Sequence, residues 1–307
     1  MHPLDRRGFL KLGAILGAGL GLGAGRGVRA EPADAPALVK ARGKDPARLV
    51  RRAFEALGGA GRFVRPGAWV VVKPNASFAN APEWGNNTHP AVVAEVCKLC
   101  REAGARRVSV VDYPLFRGAE ALEENGVAQA VRGLGGVELR VLGEAHHFRK
   151  LSVPGGLALA EVELAREALD ADLVINLPVA KAHDAVAASI GLKNLMGLIR
   201  DRAVFHTDLD IQQAIADLAR AVRPGLTLVD MTRCMVTHGP KGPGQVETPE
   251  LLLAGQDPVA LDALALEQVR FNGRKLRPRQ LKYLVQAHQA GLGELDLARC
   301  RVLEVDA

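Results

Sequence analysis

Trp69-Val70-Val71-Val72-Lys73-Pro74-Asn75 sets four apolar residues, three of them β-branched, directly before a lysine, a proline and an asparagine. So short a run, bounded by turn-forming residues, reads as a buried strand rather than a stretch of helix. The pattern recurs at residues 108–111 before Asp112-Tyr113-Pro114, at 173–177 before Pro178, and at 226–229 before Asp230. Residues 137–142 and 301–305 read as further strands. Apolar residues at helical spacing fill the intervals, at 46–57, 90–103, 119–134, 185–198, 208–222, 258–271 and 278–290. This alternation predicts an α/β fold, a mostly parallel sheet with helices on both faces. It is Rossmann-like, either one large domain over 46–307 or two α/β lobes.

The ends of these strands carry the functional signal. Lys73 and Asn75, Asp112, Lys181-Ala182-His183 and Asp230 each follow an expected strand closely. In open parallel sheets, ligands bind beyond the carboxyl ends of the strands, where the strand order switches direction. One polar residue after a strand is only how a strand ends, but this series predicts a functional edge.

The first thirty residues read differently. Asp5-Arg6-Arg7-Gly8-Phe9-Leu10-Lys11 precedes a soft Gly/Ala/Leu run and then Arg26-Gly27-Val28-Arg29-Ala30. Paired arginines, Phe-Leu-Lys and a weakly apolar core resemble a twin-arginine signal peptide over 1–30, cleaved near Ala30. An uncleaved anchor or an ordinary secretory signal is the alternative. The run falls short of the roughly 20 apolar residues a membrane span needs. The expected partner is therefore the twin-arginine translocase, which carries folded proteins. The expected location is the periplasm or an equivalent exported compartment, with no membrane span in the mature chain. Residues 31–45, rich in Pro and Ala, are expected to form a loose linker.

Setting the leader aside also changes the charge. Residues 1–30 carry a net +4 of the formal +6, leaving +2 for the remainder. With two Trp and two Tyr in the whole chain, neither a basic stripe nor a base-stacking platform is present, so a nucleic-acid partner is not expected. Cys97-Lys-Leu-Cys100 spells a redox or metal pair, but it lies well inside a helical pattern. Reactive pairs gain a low pKa at a helix N-terminus, so these cysteines read as buried small hydrophobes.

Three stretches can carry chemistry. In Asn86-Asn87-Thr88-His89-Pro90, Thr88 or His89 caps a helix whose free N–H groups suit an anion. Lys181-x-His183 and Gly191-Leu192-Lys193-Asn194-Leu195-Met196-Gly197 place lysines, a histidine and an amide in small apolar surroundings. There a lysine can hold a carboxylate or phosphate, or act as a base once its pKa falls. His238-Gly239-Pro240-Lys241-Gly242-Pro243-Gly244 lacks the Gly-Lys-[Ser/Thr] of a phosphate loop; it reads as a ligand-facing lid carrying Lys241 or as a surface turn. His206 could join His183 and His89 as metal ligands assembled from distant loops.

Taken in order, these segments resemble domain-of-unknown-function family 362. The resemblance rests on Val72-Lys73-Pro74-Asn75, Thr88-His89-Pro90, Val110-Val111-Asp112-Tyr113-Pro114 and Asp172-Leu173-Val174-Ile175-Asn176-Leu177-Pro178. It continues through Lys181-x-His183, Leu192-Lys193-Asn194-Leu195-Met196-Gly197, His206, Asp230, Gly239-Pro240 and Asp257-Pro258-Val259-Ala260-Leu261-Asp262. Many relatives carry a ferredoxin-type cysteine run. This chain lacks one, so a 4Fe-4S cluster is not expected within it, and a cluster-bearing exported redox partner is the remaining link. Where the family reads Pro-Lys-Leu-Lys-Thr-His, this chain has Pro178-Val179-Ala180-Lys181-Ala182-His183, one lysine fewer. A remote likeness to the nickel-dependent lactate racemase architecture concerns the fold and carries no function.

The combined expectation is an exported protein that binds an anionic small molecule or cofactor, with a metal as one option, at the C-terminal edge of its sheet and acts as an enzyme. Lys181, His183 and Lys193 are the expected catalytic groups. Lys73, Asn75, Thr88, His89, Asp112, Asn194, Asp230 and Lys241 are the expected ligand-binding groups. His89, His183 and His206 are the expected metal ligands. The alternative is a non-catalytic cofactor- or metal-binding protein, or a maturation protein serving an exported redox partner.

Overall fold

A computed structural model describes residues 37–115 and 117–307. The twin-arginine reading of 1–30, and residues 31–36 of the expected linker, lie outside the described residues. The described chain forms an eight-stranded sheet in the order Arg301–Asp306, Ala37–Arg42, Leu251–Gly255, Leu226–Met231, Leu173–Leu177, Trp69–Pro74, Arg107–Asp112, Val137–Val141. Leu251–Gly255 pairs antiparallel with both neighbours, and all the other pairings are parallel. The expected mostly parallel α/β sheet is therefore present.

Alternation along each strand builds two cores. Val70 and Val72 pack with Val108 and Val110 beneath Leu49 and Phe54 of helix Pro46–Ala56 and Val92, Val93 and Val96 of helix Pro90–Glu102. Val71 and Val111 face the other way, toward helices Ile211–Ala221, Pro258–Leu266 and Lys282–Gln289. Each fully buried valine or leucine contributes roughly 1.5–3 kcal/mol, which is why a strand buried on both faces can be almost wholly apolar. Asp45, Asp210 and Asp257 cap three of these helices through their carboxylates.

Three expectations are corrected, and one strand was not expected. Ala37–Arg42 is a strand between Arg301–Asp306 and Leu251–Gly255, with Leu38, Val39 and Ala41 fully buried, so the linker reading fails there. Residues 185–198 do not form one helix. A hairpin, Lys181–His183 with Ala187–Ser189, leads into a short turn of helix at Gly191–Asn194 and a 3-10 turn at Leu195–Leu198. Its apolar spacing mimics helix because residues 188–198 are all buried. The helix expected at 119–134 breaks at Gly126, whose φ of 82° lies in the left-handed region. Leu251–Gly255 is leucine-rich with no β-branched residue, and two-sided burial supplies what its propensity lacks. No described helix is long and apolar enough to cross a membrane.

The chain passes from Trp69–Pro74 outward to Arg107–Asp112 and Val137–Val141, then returns to place Leu173–Leu177 on the other side of Trp69–Pro74. That reversal is the switch point of the sheet, and it opens a crevice at the carboxyl ends of these two strands. Beneath it, Lys73 and Asp112 meet across adjacent strands, Nζ to Oδ1 at 2.8 Å, both fully buried. Asp112 also accepts from the backbone N–H groups of Ala76 at 2.6 Å and Tyr113 at 2.8 Å. Lys73→Met would leave that carboxylate without its cation. The expected cost is about 3–5 kcal/mol, read as a lower urea midpoint with an unchanged slope. A midpoint equal to wild type would show that the pair is not needed for stability.

Candidate functional site

A cleft of ≈ 700 Å³ opens above the switch point. Its walls come from the segments that follow Trp69–Pro74 and Leu173–Leu177, from Gly191–Asn194 and Leu195–Leu198, and from residues 202–206 and 238–241. Each wall is fastened by buried polar contacts. The loop after Trp69–Pro74 closes on itself, because Asn75 N–H donates to Thr88 Oγ1 at 2.8 Å and Thr88 N–H donates to the Asn75 carbonyl at 2.8 Å. Thr88 Oγ1 then donates to the Leu177 carbonyl at 2.6 Å. Thr88, expected to bind ligand, is consumed as a buckle between the two strands.

Amide side chains carry the order across the floor. Lys181 Nζ donates to Asn75 Oδ1 at 2.8 Å and to the Asn86 carbonyl at 2.5 Å. The same ammonium lies 4.8 Å from the centre of the Phe78 ring. Asn75 Nδ2 donates to Asn194 Oδ1 at 2.9 Å, Asn194 Nδ2 to Asn176 Oδ1 at 2.8 Å, and Asn176 Nδ2 to the Gly191 carbonyl at 3.0 Å. Asn86 Nδ2 donates to the carbonyls of Pro240 and Lys241, each at 3.2 Å, tying the Gly/Pro-rich loop to the same frame.

The two glycines of Gly191-Leu192-Lys193-Asn194-Leu195-Met196-Gly197 have packing reasons. Asp262 accepts from the N–H groups of Gly191 and Leu192, at 2.7 and 3.1 Å, and so caps this turn from a distant helix. A Cβ at 191 would lie 2.7 Å from Asp262 Oδ1. A Cβ at 197 would collide with Asp112 and come 2.6 Å from Lys73 Nζ. Glycine lets this backbone rest directly on the buried ion pair.

Electrostatically the cleft is short of negative charge. Lys181, Lys193, Arg202 and Lys241 line it, and Asp184 is the one lining carboxylate among the described residues, itself largely exposed. Burial brings Lys181 down to about 7, with Asp112 opposing and Lys193 and Lys73 adding to the fall. Burial likewise brings Lys193 to about 8, opposed by Asp184 and assisted by Arg202. Burial, then Lys193 and Lys181, hold His183 down to about 2, so its imidazole is neutral. His206 is lowered by the same kinds of cause. The His183 and His206 rings stack with centroids 6.4 Å apart and planes 8° from parallel. Arg202 Nη1 donates to the Tyr113 carbonyl at 2.7 Å, and the guanidinium lies 4.3 Å from the Tyr113 ring centre.

Of the expected site residues, Lys181, His183, Lys193, Asn75, Asn194, Lys241 and His206 meet at the cleft. Lys73 and Asp112 lie buried beneath it. Asp230 is committed elsewhere, accepting from the His89 N–H at 2.7 Å and from Thr232 N–H and Oγ1 at 2.9 and 2.7 Å. The His89 side chain caps its own helix by accepting from Ala91 N–H. The expected three-histidine metal set is therefore not assembled: among the described residues no three His, Cys, Asp or Glu side chains converge as a metal requires. Cys97 and Cys100 are buried, and burial pushes the Cys100 thiol up to about 12, in keeping with a packing role. Arg202, Ser77 and Ser189 also line the cleft and were not expected there, and His238 lines it within the Gly/Pro-rich loop. Arg202 follows no strand, so no local pattern points to it.

The chain matches the family described as domain of unknown function (DUF362) over residues 70–267, a span that holds most of the cleft. It is 32% identical over 221 residues to a thylakoid-associated protein of Synechocystis sp., covering 69% of this chain and 66% of that relative, just under two thirds of its length. Among solved structures, the lactate racemase apoprotein of Thermoanaerobacterium thermosaccharolyticum aligns with a TM-score of 0.45 at 14% identity, over 71% of this chain and 54% of that one. A Thermotoga maritima protein aligns at 0.39 and 14% identity, over 61% and 51%. On the family match and the curated relative together, the chain belongs to the DUF362 family.

Proposed function

We propose that the cleft binds a small organic anion and that the protein acts on it as an enzyme by proton transfer. The observation that carries this reading is the charge of the cleft, where Lys181, Lys193, Arg202 and Lys241 face the single lining carboxylate of Asp184. Lys193 and Arg202 supply the countercharge. Asn75 and Asn194 hold the floor, and Lys181 keeps the loop after Trp69–Pro74 in place while adding to the field. Lysines that titrate near neutrality, Lys181 at about 7 and Lys193 at about 8, can exchange a proton with a bound anion, while His183, held neutral, is left to hydrogen-bond; this favours turnover over simple carriage. The exported location remains our reading of Arg6-Arg7 and its flanks.

Three outcomes test this. In thermal-shift titrations, small carboxylates and phosphates should raise Tm while neutral and cationic compounds of similar size should not. Lys193→Ala should weaken anion binding by roughly tenfold or more; equal protection of the variant and wild type would remove Lys193 from the site.

The pH dependence follows from the lowered lysines. Above about pH 7.5 the unfolded chain, with ordinary lysines near 10.4, holds more protons at these positions than the folded chain does. Stability of the free protein should therefore rise between pH 7.5 and 9.5, while anion affinity falls as Lys193 loses its charge around pH 8. Urea midpoints and anion titrations across that range check both signs, and affinity that holds or increases would count against the ammonium as the binding group. Replacing Arg6 and Arg7 by lysine should trap the unprocessed precursor inside the cell; undiminished processing would exclude the twin-arginine route.

A further inference from the structure

The buried cations of the cleft are not equivalent. Lys73 is paired with Asp112, Lys181 has two oxygen acceptors, and Arg202 donates to the carbonyls of Tyr113 and Pro114. Lys193 is also buried, with a relative exposure of 7%. Among the described residues, however, its Nζ contacts only the thioether of Met196, at 3.2 Å. No carboxylate lies within ion-pair distance of it. The turn that carries it is held at both ends, by Asp262 at Gly191 and Leu192 and by the amide chain through Asn194. An amine placed this way is poorly solvated as an ammonium and has no strong acceptor to keep it so, the setting in which lysine serves as a nucleophile.

We propose that Lys193 forms an imine with the carbonyl group of an anionic aldehyde or keto acid bound in the cleft. This rests on the anion-binding reading above and names the ligand class more narrowly. The Nζ lone pair attacks the carbonyl carbon, a C–N bond forms, and the C=O π pair moves to oxygen. One amine hydrogen passes to that oxygen. The resulting carbinolamine then loses its hydroxyl with the second amine hydrogen, so one water leaves and C=N remains. Neither an oxidant nor a reductant is needed. Arg202 would hold the carboxylate, and the exposed His206 can relay the protons. With a pKa of about 8, roughly a tenth of Lys193 is free amine at pH 7, against well under a thousandth for an ordinary lysine. Lys181, although lower still, is clamped between Asn75 and Asn86.

Reductive trapping on the full chain tests the inference. The protein is incubated at pH 7 with pyruvate, glyoxylate, phenylpyruvate or succinic semialdehyde and sodium cyanoborohydride, and the adduct is located by peptide mass mapping. The expected result, with at least one of these, is a single adduct per chain at Lys193, formed at least tenfold faster than at the exposed Lys98 and Lys150. Lys193→Arg should lose the adduct, and Lys98→Arg should form it at the wild-type rate and keep protection by lactate, which carries the charge without a carbonyl. No adduct at Lys193 with any of the four, or adducts spread over exposed lysines, overturns the inference. If lactate still protects the wild type in that case, the anion-binding reading survives. If lactate, the carboxylates and the phosphates all fail to protect, that reading falls as well.

Discussion

The contact between Lys73 and Asp112 underlies the rest of the site. Two neighbouring parallel strands end in opposite charges, and the pair lies sealed between the sheet and the backbone at Gly197. Burying two ions is costly, and the cost is offset only when each finds its remaining partners. Asp112 finds them in the first N–H groups of two diverging loops. The carboxylate therefore sets the direction in which the chain leaves Trp69–Pro74 and Arg107–Asp112. It also requires a residue without a side chain where the Leu195–Leu198 turn crosses above. Strand register, loop departure and the position of Lys193 are linked through one buried pair.

The cleft floor follows the same logic with neutral groups. A run of asparagine amides, Asn75 to Asn194 to Asn176, uses donor and acceptor in turn and ends on a backbone carbonyl. Such a chain is rigid only when every member is satisfied. Lys181 is held by Asn75 of that chain and Lys73 by Asp112. Two lysines are thereby absorbed into the structure, and Lys193 is left facing the cleft with a sulfur as its neighbour. The family places this chain among relatives whose shared description names no activity, so chemistry has to be argued from this arrangement of charge.

Much of the fold was legible from local pattern. Short β-branched runs closed by proline, aspartate or asparagine mark parallel strands because burial on both faces selects them. What failed did so for identifiable reasons. Ala37–Arg42 follows a Pro/Ala-rich tract and carries alternating charge, and only its two flanking strands reveal it. Residues 185–198 have helical spacing because all of 188–198 is buried, so the apolar positions there record burial rather than period. The glycines at 191 and 197 signalled a close approach, but whether to a ligand or to protein could not be read locally; the approaching groups are Asp262 and the Lys73–Asp112 pair.

By itself, the sequence determined the class of fold, the edge at which polar residues gather and the family, because these depend on composition and spacing within a few residues. Only the tertiary structure decided which of those polar residues are free to act. Thr88, His89, Asp230, Lys73 and Asp112 have the right chemistry for a site, but their hydrogen-bonding capacity is already taken up, the His89 ring by Ala91 of its own helix and Thr88, Asp230, Lys73 and Asp112 by partners that include groups distant in sequence. Lys193 differs from Lys181 in having no oxygen acceptor at its ammonium among the described residues. A buried charge is defined by the acceptors around it, and those acceptors arrive from other strands, loops and helices.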